Sequence, residues 1–367
     1  MNLLVPTERG LYCPVGDFHI DPSRAVPRAI VTHAHADHAV KGCGKYLAAP
    51  DCLPLLRHRL GRGIEAEGLE YGRSRRVRGV RISLHPAGHV LGSIQVRLEC
   101  RGEVWVATGD YKRQPDPTCR PFEPVPCHVL LTETTFGLPI YVWPEADEEL
   151  QRIESWRRRN RERGVSSLLL VYSLGKAQRL LASLAPDLGP IHVHDAIAGV
   201  NAAYREAGIE LPTTAIDPPS AGSTVLTVPQ AVGTRWLAAA APYETAYVSG
   251  WMRTRRRRQQ RGTGRGFVMS DHVDWPALMR TIRESGAERV GAMHGSTAEV
   301  VRFLREQGTE AFEVRTGRPQ LDPATIDRAE SFDESPASSN APAHPSLGEA
   351  DDAADDADDG DDRPEGV

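Results

Sequence analysis

Four side chains that can bind a metal ion fall within six residues of this 367-residue chain: His33, His35, Asp37 and His38, in Val31-Thr32-His33-Ala34-His35-Ala36-Asp37-His38. Side chains two residues apart in an extended chain point to the same side, so His33 and His35 can converge on one cation. Asp37 and His38 would then reach a second cation. Imidazole and carboxylate together suit zinc and related metals. The alternative is a polar loop that happens to be rich in histidine.

Two further metal ligands are predicted beside strands. His89 lies on a small-residue loop between strands predicted at 80–84 and 94–98, and it is the third nitrogen expected for the first metal. His85, at the start of the same loop, is its competitor. Asp110 follows the next predicted strand, and its two carboxylate oxygens can bridge two cations.

An apolar run predicts the strand before the histidine run at 28–31. Three more candidates also follow predicted strands. Glu133, after an apolar strand, is a candidate for acid–base work, and His272 and His294 end two later strands. Their placement resembles that of the metal ligands, which argues for one site at one sheet edge. Asp21 closes a short strand, where it either orients metal ligands or caps a turn.

From Pro144 the pattern alternates helices with strands, which predicts an α/β unit with a parallel sheet, inserted as a separate lobe. Lys176 begins a helix after a strand, where helix amides could hold a phosphate. The turn lacks a G-x-x-x-x-G-K pattern, so it is not a typical nucleotide-binding loop. The H-x-H pair of His192 and His194 has only Asp195 as an acidic neighbour and is not expected to bind a metal.

An arginine-rich segment precedes the return to the first unit. Flexible loops rich in guanidinium groups suit a phosphate backbone, because each arginine can fork onto phosphate oxygens. A solvated charged loop is the alternative. The nucleic-acid contacts predicted here, besides Lys176, are Arg253, Arg255, Arg256, Arg257, Arg258, Arg261 and Arg265.

The net charge of −5 hides a strong asymmetry. Residues 328–367 contain 13 acidic and 2 basic residues, hence −11, so residues 1–327 carry +6. The acidic tail has almost nothing apolar to bury and is expected to be disordered. It is either a solvated tail or a mimic of nucleic acid that competes for the basic body.

Composition also indicates the cellular compartment. Neither a membrane span nor a signal peptide is indicated, and a cytoplasmic location is expected. The six cysteines show no C-x-x-C spacing and are expected to be reduced and mostly buried. They are Cys13, Cys43, Cys52, Cys100, Cys119 and Cys127.

Together these motifs resemble the β-CASP family, in which a metallo-β-lactamase fold carries a nucleic-acid-processing insertion. The segments at 10–14, 132–137 and 270–275 most resemble bacterial ligase-associated DNA exonucleases, often labelled mRNA 3′-end processing factors. The resemblance covers about residues 10–320. It implies an αββα sandwich in residues 1–145 and 266–326, an inserted α/β lobe in residues 146–265, and the acidic tail at 327–367.

The resemblance also implies roles for individual residues. One zinc would be held by His33, His35 and His89, and a second by Asp37, His38 and His294. Asp110 would lie between the two ions, and manganese could replace zinc. Asp37 would then also be catalytic, as would the pair formed by Glu133 and His272 near the leaving group, and Asp21 would orient the ligands.

The predicted chemistry is in-line attack by metal-held hydroxide on a phosphodiester, with a proton donated by His272, which Glu133 keeps protonated by charge attraction. The favoured function is a DNA exonuclease of repair, with single-stranded or end-containing DNA as substrate. The resemblance alone implies an ATP-dependent DNA ligase and a DNA helicase as partners. An RNA nuclease is the alternative, since both polymers share the reactive phosphate. A catalytically silent binding subunit is disfavoured, because it would be expected to have lost metal ligands and every expected position is filled here. A small-molecule hydrolase is also disfavoured, because it would need neither the arginine-rich segment nor the inserted lobe.

Overall fold

Short apolar stretches separated by glycine and proline turns give this chain many brief strands instead of a few long ones. A computed structural model describes residues 2–260 and 265–317. Within them, strands form three sheets of six, seven and six strands, and helices pack against these sheets. The predicted mixed α/β class is therefore confirmed. The tail predicted at 327–367 and Arg261 lie outside the described residues.

The first sheet follows chain order. Its strands are β1 (Val5–Thr7), β2 (Gly10–Cys13), β3 (Phe18–Ile20), β4 (Arg28–Ile30), β5 (Lys45–Ala48) and β6 (Ala66–Gly68). β4 pairs in parallel with both β3 and β5. The histidine-rich run leaves the sheet directly after β4, and helix α1 (Leu53–Leu60) connects β5 to β6. Asp21 follows the neighbouring strand β3, so it reaches the same edge.

The next five strands begin the second sheet. They are β7 (Ser74–Val77), β8 (Val80–Pro86), β9 (Ile94–Cys100), β10 (Glu103–Ala107) and β11 (Val129–Thr134). The first four pair antiparallel in sequence, and β10 pairs in parallel with β11. Asp110 therefore follows the strand beside the one that carries Glu133.

The predicted inserted lobe contains the third sheet, in which every pairing is parallel. Its helices are α2 (Ala146–Glu162), α3 (Lys176–Ser183), α4 (Asp195–Glu206), α5 (Arg235–Ala238) and α6 (Arg255–Gln260). Its strands are β12 (Ser166–Leu170), β13 (Ile191–Val193), β14 (Thr214–Ala215), β15 (Thr224–Thr227), β16 (Tyr243–Val248) and β17 (Arg265–Phe267). β17 ends two residues beyond the predicted lobe boundary, and the domain boundaries stay a prediction.

After the lobe, the chain completes the second sheet through α7 (Trp275–Ser285), β18 (Arg289–Gly295), α8 (Thr297–Glu306) and β19 (Glu310–Glu313). The order of this sheet is β19-β18-β11-β10-β9-β8-β7. β18 lies beside β11, which brings His294 to the edge occupied by Glu133. Residues more than 150 positions apart thereby meet.

The first two sheets share one apolar core. Phe18 and Ile30 of the first sheet pack with Ile82, Val96 and Leu131 of the second. The opposite face of the second sheet packs against α7 and α8. Apolar residues of α4 in the lobe pack with those of α1 and the first sheet, so the lobe shares buried surface with that sheet. These buried layers fix the strand ends from which the candidate ligands project.

Several elements differ from the prediction. Pairing with β18 extends β11 to Thr134, so Glu133 and His294 lie inside strands. β8 likewise continues through His85. The arginine segment, predicted as a flexible loop, contains helix α6, in keeping with the good helix propensity of arginine and glutamine. The side chain of Asp274 caps α7, whereas Ser296 occupies the cap position of α8 without a side-chain hydrogen bond.

Two simpler expectations can be compared with the structure. All six cysteines are free, and five of them are buried, as predicted. In the part of the chain that the structure describes, none of the helices has the length and apolar character needed to cross a membrane.

Candidate active site

Three histidines from two chain segments form the first candidate metal site. Ligand atoms of His33, His35 and His89 all lie within 4.8 Å of one another. His89 Nε2 lies 3.1 Å from His35 Nδ1. His33 Nε2 is buried and has no hydrogen-bond partner among the described residues. A buried nitrogen left in this state costs free energy, and a cation shared by the three rings would remove that cost. The residues therefore fit a metal.

Fixed acceptors set the tautomer of each ring. His89 Nδ1 donates to the carbonyl of Asp271 at 2.7 Å, and His35 Nε2 donates to the carbonyl of Leu174 at 3.2 Å. His33 Nδ1 lies 3.0 Å from Thr32 Oγ1. The opposite nitrogens, His33 Nε2, His35 Nδ1 and His89 Nε2, are left as the metal-binding atoms.

A second group lies beside the first. His38 Nε2 is 3.3 Å from both Asp37 Oδ2 and Asp110 Oδ2. The same oxygen of Asp110 is 3.6 Å from His33 Nε2, so this carboxylate lies between the two groups. His294 lines the same cavity as His38 and Asp110, with its ring centroid 5.9 Å from that of His38. This arrangement can hold two cations with Asp110 between them.

Asp21 orients the second group. His38 Nδ1 lies 2.8 Å from Asp21 Oδ2, which leaves His38 Nε2 directed at Asp37 and Asp110. Asp21 also accepts hydrogen bonds from the backbone N–H and the hydroxyl of Thr32, at 2.7 and 2.6 Å. Of the two roles open to Asp21, the structure shows contacts that suit an orienting carboxylate.

Glu133 and His272 form a buried pair next to both groups. Glu133 Oε2 lies 2.8 Å from His272 Nδ1, and Glu133 Oε1 accepts a hydrogen bond from the Tyr111 backbone at 2.7 Å. The pair fixes His272 in one orientation. His272 Nδ1 is 4.0 Å from Asp110 Oδ2, and His272 also lies within 4.8 Å of His89 and Asp110 as a possible ligand group.

Burial and neighbouring charges shift the titration of the site. Burial, followed by the neighbouring histidines, holds the pKa of His33 and of His89 well below the usual value, which favours the neutral, metal-binding form. Burial would raise the pKa of Asp110, but the surrounding histidines outweigh it and hold that pKa well below its usual range. Burial and the charge of Asp110 raise the pKa of Glu133 despite the attraction of His272.

Other sequence candidates lie outside this cluster. His85 contacts Ser83 Oγ and the carboxylate of Glu123 instead of the metal-binding rings. His192 lies beside the carbonyl of Asp217, and His194 caps α4, as suits structural histidines.

Lys176 differs from the expected surface contact. It is 2% exposed, and its ammonium lies 2.6 Å from Asp271 Oδ2. A neighbouring carboxylate pairs with this cation, and Lys176 lines the cavity that His35, His89 and His272 also line, so its contact with nucleic acid stays a prediction.

The arginine segment lies next to the site. Trp251 lines a cavity together with His35, His89 and His272, and the guanidinium of Arg257 lies 5.2 Å from the centre of the Trp251 ring. Arg258 donates to the carbonyl of Met252 at 2.5 Å, which fixes it on the protein. The arginines exposed to solvent are Arg253, Arg255, Arg256 and Arg265.

A buried charge network beside the histidines escaped the sequence analysis. Its members are buried and form ion pairs with one another: Lys112, Asp116, Lys176, Arg179 and Asp271. Burial would raise the pKa of Asp271, but the three cations hold it well below its usual range. The available signal was the charged pair Lys176 and Arg179 at i and i+3 on a short helix whose other polar residues are Gln178 and Ser183.

Comparison with known proteins relates the chain to nucleic-acid enzymes. A probable DNA ligase of Opitutus terrae is 30% identical over 315 residues, which cover 84% of this chain and 31% of that protein. Endoribonuclease YSH1 of Yarrowia lipolytica is 31% identical over 140 residues, 36% of this chain and 17% of that protein. The chain thus spans less than a third of the length of either relative. No protein-family model matches.

A solved structure of a protein of unknown function from Enterococcus faecalis shares the fold. Its TM-score is 0.55 at 11% identity, over 78% of this chain and 79% of that one. The sequence relatives confirm the resemblance seen in the motifs: the chain has homologues among the β-CASP endoribonucleases.

Proposed function

We propose that this protein is a two-metal phosphodiester hydrolase that acts on nucleic acid, and specifically a DNA exonuclease of repair. The observation that carries the proposal is the convergence of two ligand groups, linked by Asp110, on the buried pair of Glu133 and His272. The sandwich of two sheets with helices outside supports a metallo-β-lactamase architecture for this part of the chain.

The metal ligands proposed are His33, His35 and His89 for one cation and Asp37, His38 and His294 for the other, with Asp110 between them. Zinc suits these donors, and manganese is the alternative. When bound, such cations supply hydroxide at neutral pH, by lowering the pKa of water from about 15.7 to about 7, and stabilise charge on phosphoryl oxygens.

The protein's own contribution is proton transfer. His272 would donate a proton to the departing ribose oxygen, because its Nδ1 is held by Glu133 at 2.8 Å and its ring lines the cavity beside His35 and His89. No side-chain nucleophile is needed in this scheme. Arg257 beside Trp251, together with the exposed Arg253, Arg255 and Arg256, would guide the strand into the cavity through phosphate contacts.

The choice of DNA rests on the relative named as a DNA ligase, which matches 84% of this chain. The same similarity supports a DNA ligase as partner. The second candidate is an RNA nuclease, since a relative named as an endoribonuclease matches 36% of the chain.

The test is cleavage of end-labelled single-stranded DNA and matched RNA by purified protein with Zn²⁺ or Mn²⁺. The control is a variant with both His35→Ala and Asp37→Ala. Stepwise loss of DNA from one end, with RNA intact and the control inactive, is the expected result. Preferential RNA cleavage would transfer the assignment to RNA processing. Failure of metal-loaded protein to cut either polymer would refute the proposal.

A further inference from the structure

Two of the three histidines in the first metal site depend on the inserted lobe for their orientation. His35 donates from Nε2 to the carbonyl of Leu174, two residues before α3. His89 donates from Nδ1 to the carbonyl of Asp271, which follows the lobe in sequence. These bonds decide which ring nitrogen is left for the metal.

The lobe also holds Asp271 itself. Lys176 Nζ lies 2.6 Å from Asp271 Oδ2, and Arg179 Nη1 lies 3.4 Å from Asp271 Oδ1. Arg179 Nη1 also donates to the carbonyl of Ser270 at 2.8 Å. Two cations on one side of α3 therefore fix the backbone of the segment that contacts His89 and continues into His272.

Burial makes this clamp rigid. Asp271, Lys176 and Arg179 are 5%, 2% and 3% exposed, so none of them can exchange its partner for bulk water. Lys112 pairs with Asp116 at 2.6 Å and also lies 3.6 Å from Asp271 Oδ1. A buried charge that loses its partner is strongly destabilised, which holds the network to one geometry.

We infer that Lys176 and Arg179 are positioning residues for the metal centre, so that docking of the lobe and metal binding at the three histidines are coupled. Because this inference rests on the proposed function, it requires that the wild-type protein binds a divalent cation. Partners that orient histidine ligands are typically worth 10- to 100-fold in metal affinity. Without Lys176, the Asp271 carbonyl would lose its fixed position and the His89 ring would lose its orientation.

The experiment measures metal affinity of the full chain by competition with a chelator, together with the visible spectrum of the Co²⁺-loaded protein. Lys176→Met keeps the apolar stem and removes the charge. The expected result is affinity about 10- to 100-fold weaker and a changed Co²⁺ spectrum, with recovery of both in Lys176→Arg. The matched control is Arg157→Met: Arg157 is also a buried cation of the lobe, but it pairs with Glu154 and Thr224.

Several outcomes would overturn the inference. Wild-type affinity and spectrum in Lys176→Met would do so, and so would an equal loss in Arg157→Met, since that would indicate general destabilisation of the lobe. If Lys176→Met fails to fold, the double variant Lys176→Met with Asp271→Asn removes both charges. It should still bind metal more weakly than the control, and wild-type affinity would contradict the clamp. Absence of metal binding in the wild type would instead refute the proposed function.

Discussion

The partner of each histidine decides what its ring can do. Neutral oxygens hold His33, His35 and His89, whereas carboxylates hold His38 and His272. A carboxylate partner increases the basicity of the opposite ring nitrogen and favours the protonated form, and a carbonyl does so less. The first three rings are therefore suited to bind metal as neutral ligands. Of the two rings held by carboxylates, His38 directs its Nε2 at Asp37 and Asp110, and His272 is the one proposed to carry a proton.

The role of His272 can be separated from metal binding. His272→Ala should lower turnover by about 10²- to 10⁴-fold, the usual contribution of a general acid, while metal content stays near that of the wild type. Steady-state cleavage and elemental analysis of the same sample measure the two quantities. A parallel loss of metal and activity would show that His272 is a ligand instead.

Acid should destabilise the metal-free protein through its buried histidines. The native pKa of His33 and of His89 lies well below 6.5, so below about pH 6.5 the unfolded chain binds protons that the native state does not. The contribution of these neutral histidines to the free energy of unfolding is fully present above that pH. It falls as the pH decreases, by about 1.4 kcal/mol per pH unit for each histidine. Urea unfolding in chelator between about pH 7 and pH 5 measures the slope. In His89→Gln the free energy of unfolding should depend less steeply on pH. An unchanged slope would show that His89 is not a source of this pH dependence.

Sequence reasoning succeeded at residues whose surroundings are local. His33, His35 and His38 follow one strand within a few residues, so their proximity depends on local sequence and can be predicted without a distant contact. Lys176 could not be understood this way, because its partner Asp271 is 95 residues away and its burial depends on how the lobe packs. Lys112 and Asp116 share that problem, since nothing in the sequence shows that their charges are enclosed.

At the scale of elements, sheet pairing and helix propensity explain the main differences from prediction. Glu133 is predicted to follow a strand, but parallel pairing of β11 with β18 continues to Thr134 and draws Glu133 into the sheet. The arginine segment is predicted as a flexible loop. In the structure, residues 255–260 form a helix that carries Arg255, Arg256, Arg257 and Arg258.

Helix α6 and its flanks should govern the salt dependence of binding. If four phosphate contacts form with a single strand, a fourfold rise in salt should weaken binding about 50-fold. Replacing the exposed Arg253, Arg255 and Arg256 with glutamine should reduce the slope of log affinity against log salt by about 2. Fluorescence anisotropy with labelled single-stranded DNA measures the slope.

A control variant has the same change in charge on α7 and α8, with glutamine replacing Arg280, Arg283 and Arg302, all exposed. Its slope should stay near that of the wild type. If log affinity depends equally on log salt in the two triple variants, the arginine segment does not contact the bound strand.

At the scale of the whole molecule, charge is divided between the body and the tail. Deleting residues 328–367 changes the net charge from −5 to +6, and this should strengthen binding to DNA at low salt by removing like-charge repulsion. A full-length variant with the eight aspartates of residues 351–362 changed to asparagine should behave like the deletion. Equal affinities of all three proteins at low salt would show that the tail does not influence binding.

The order of the ligands along the chain has a consequence for synthesis in the cell. His272 is made about 160 residues after Asp110, which at about 5–20 residues per second is a delay of roughly 8 to 30 s. During that time the emerging polypeptide lacks His272, the proposed proton donor, and also the Asp271 carbonyl and His294. Ribosome-arrested chains that end before residue 271 should therefore leave a labelled strand intact. The proposed centre can therefore become complete only after residue 294 has been synthesised.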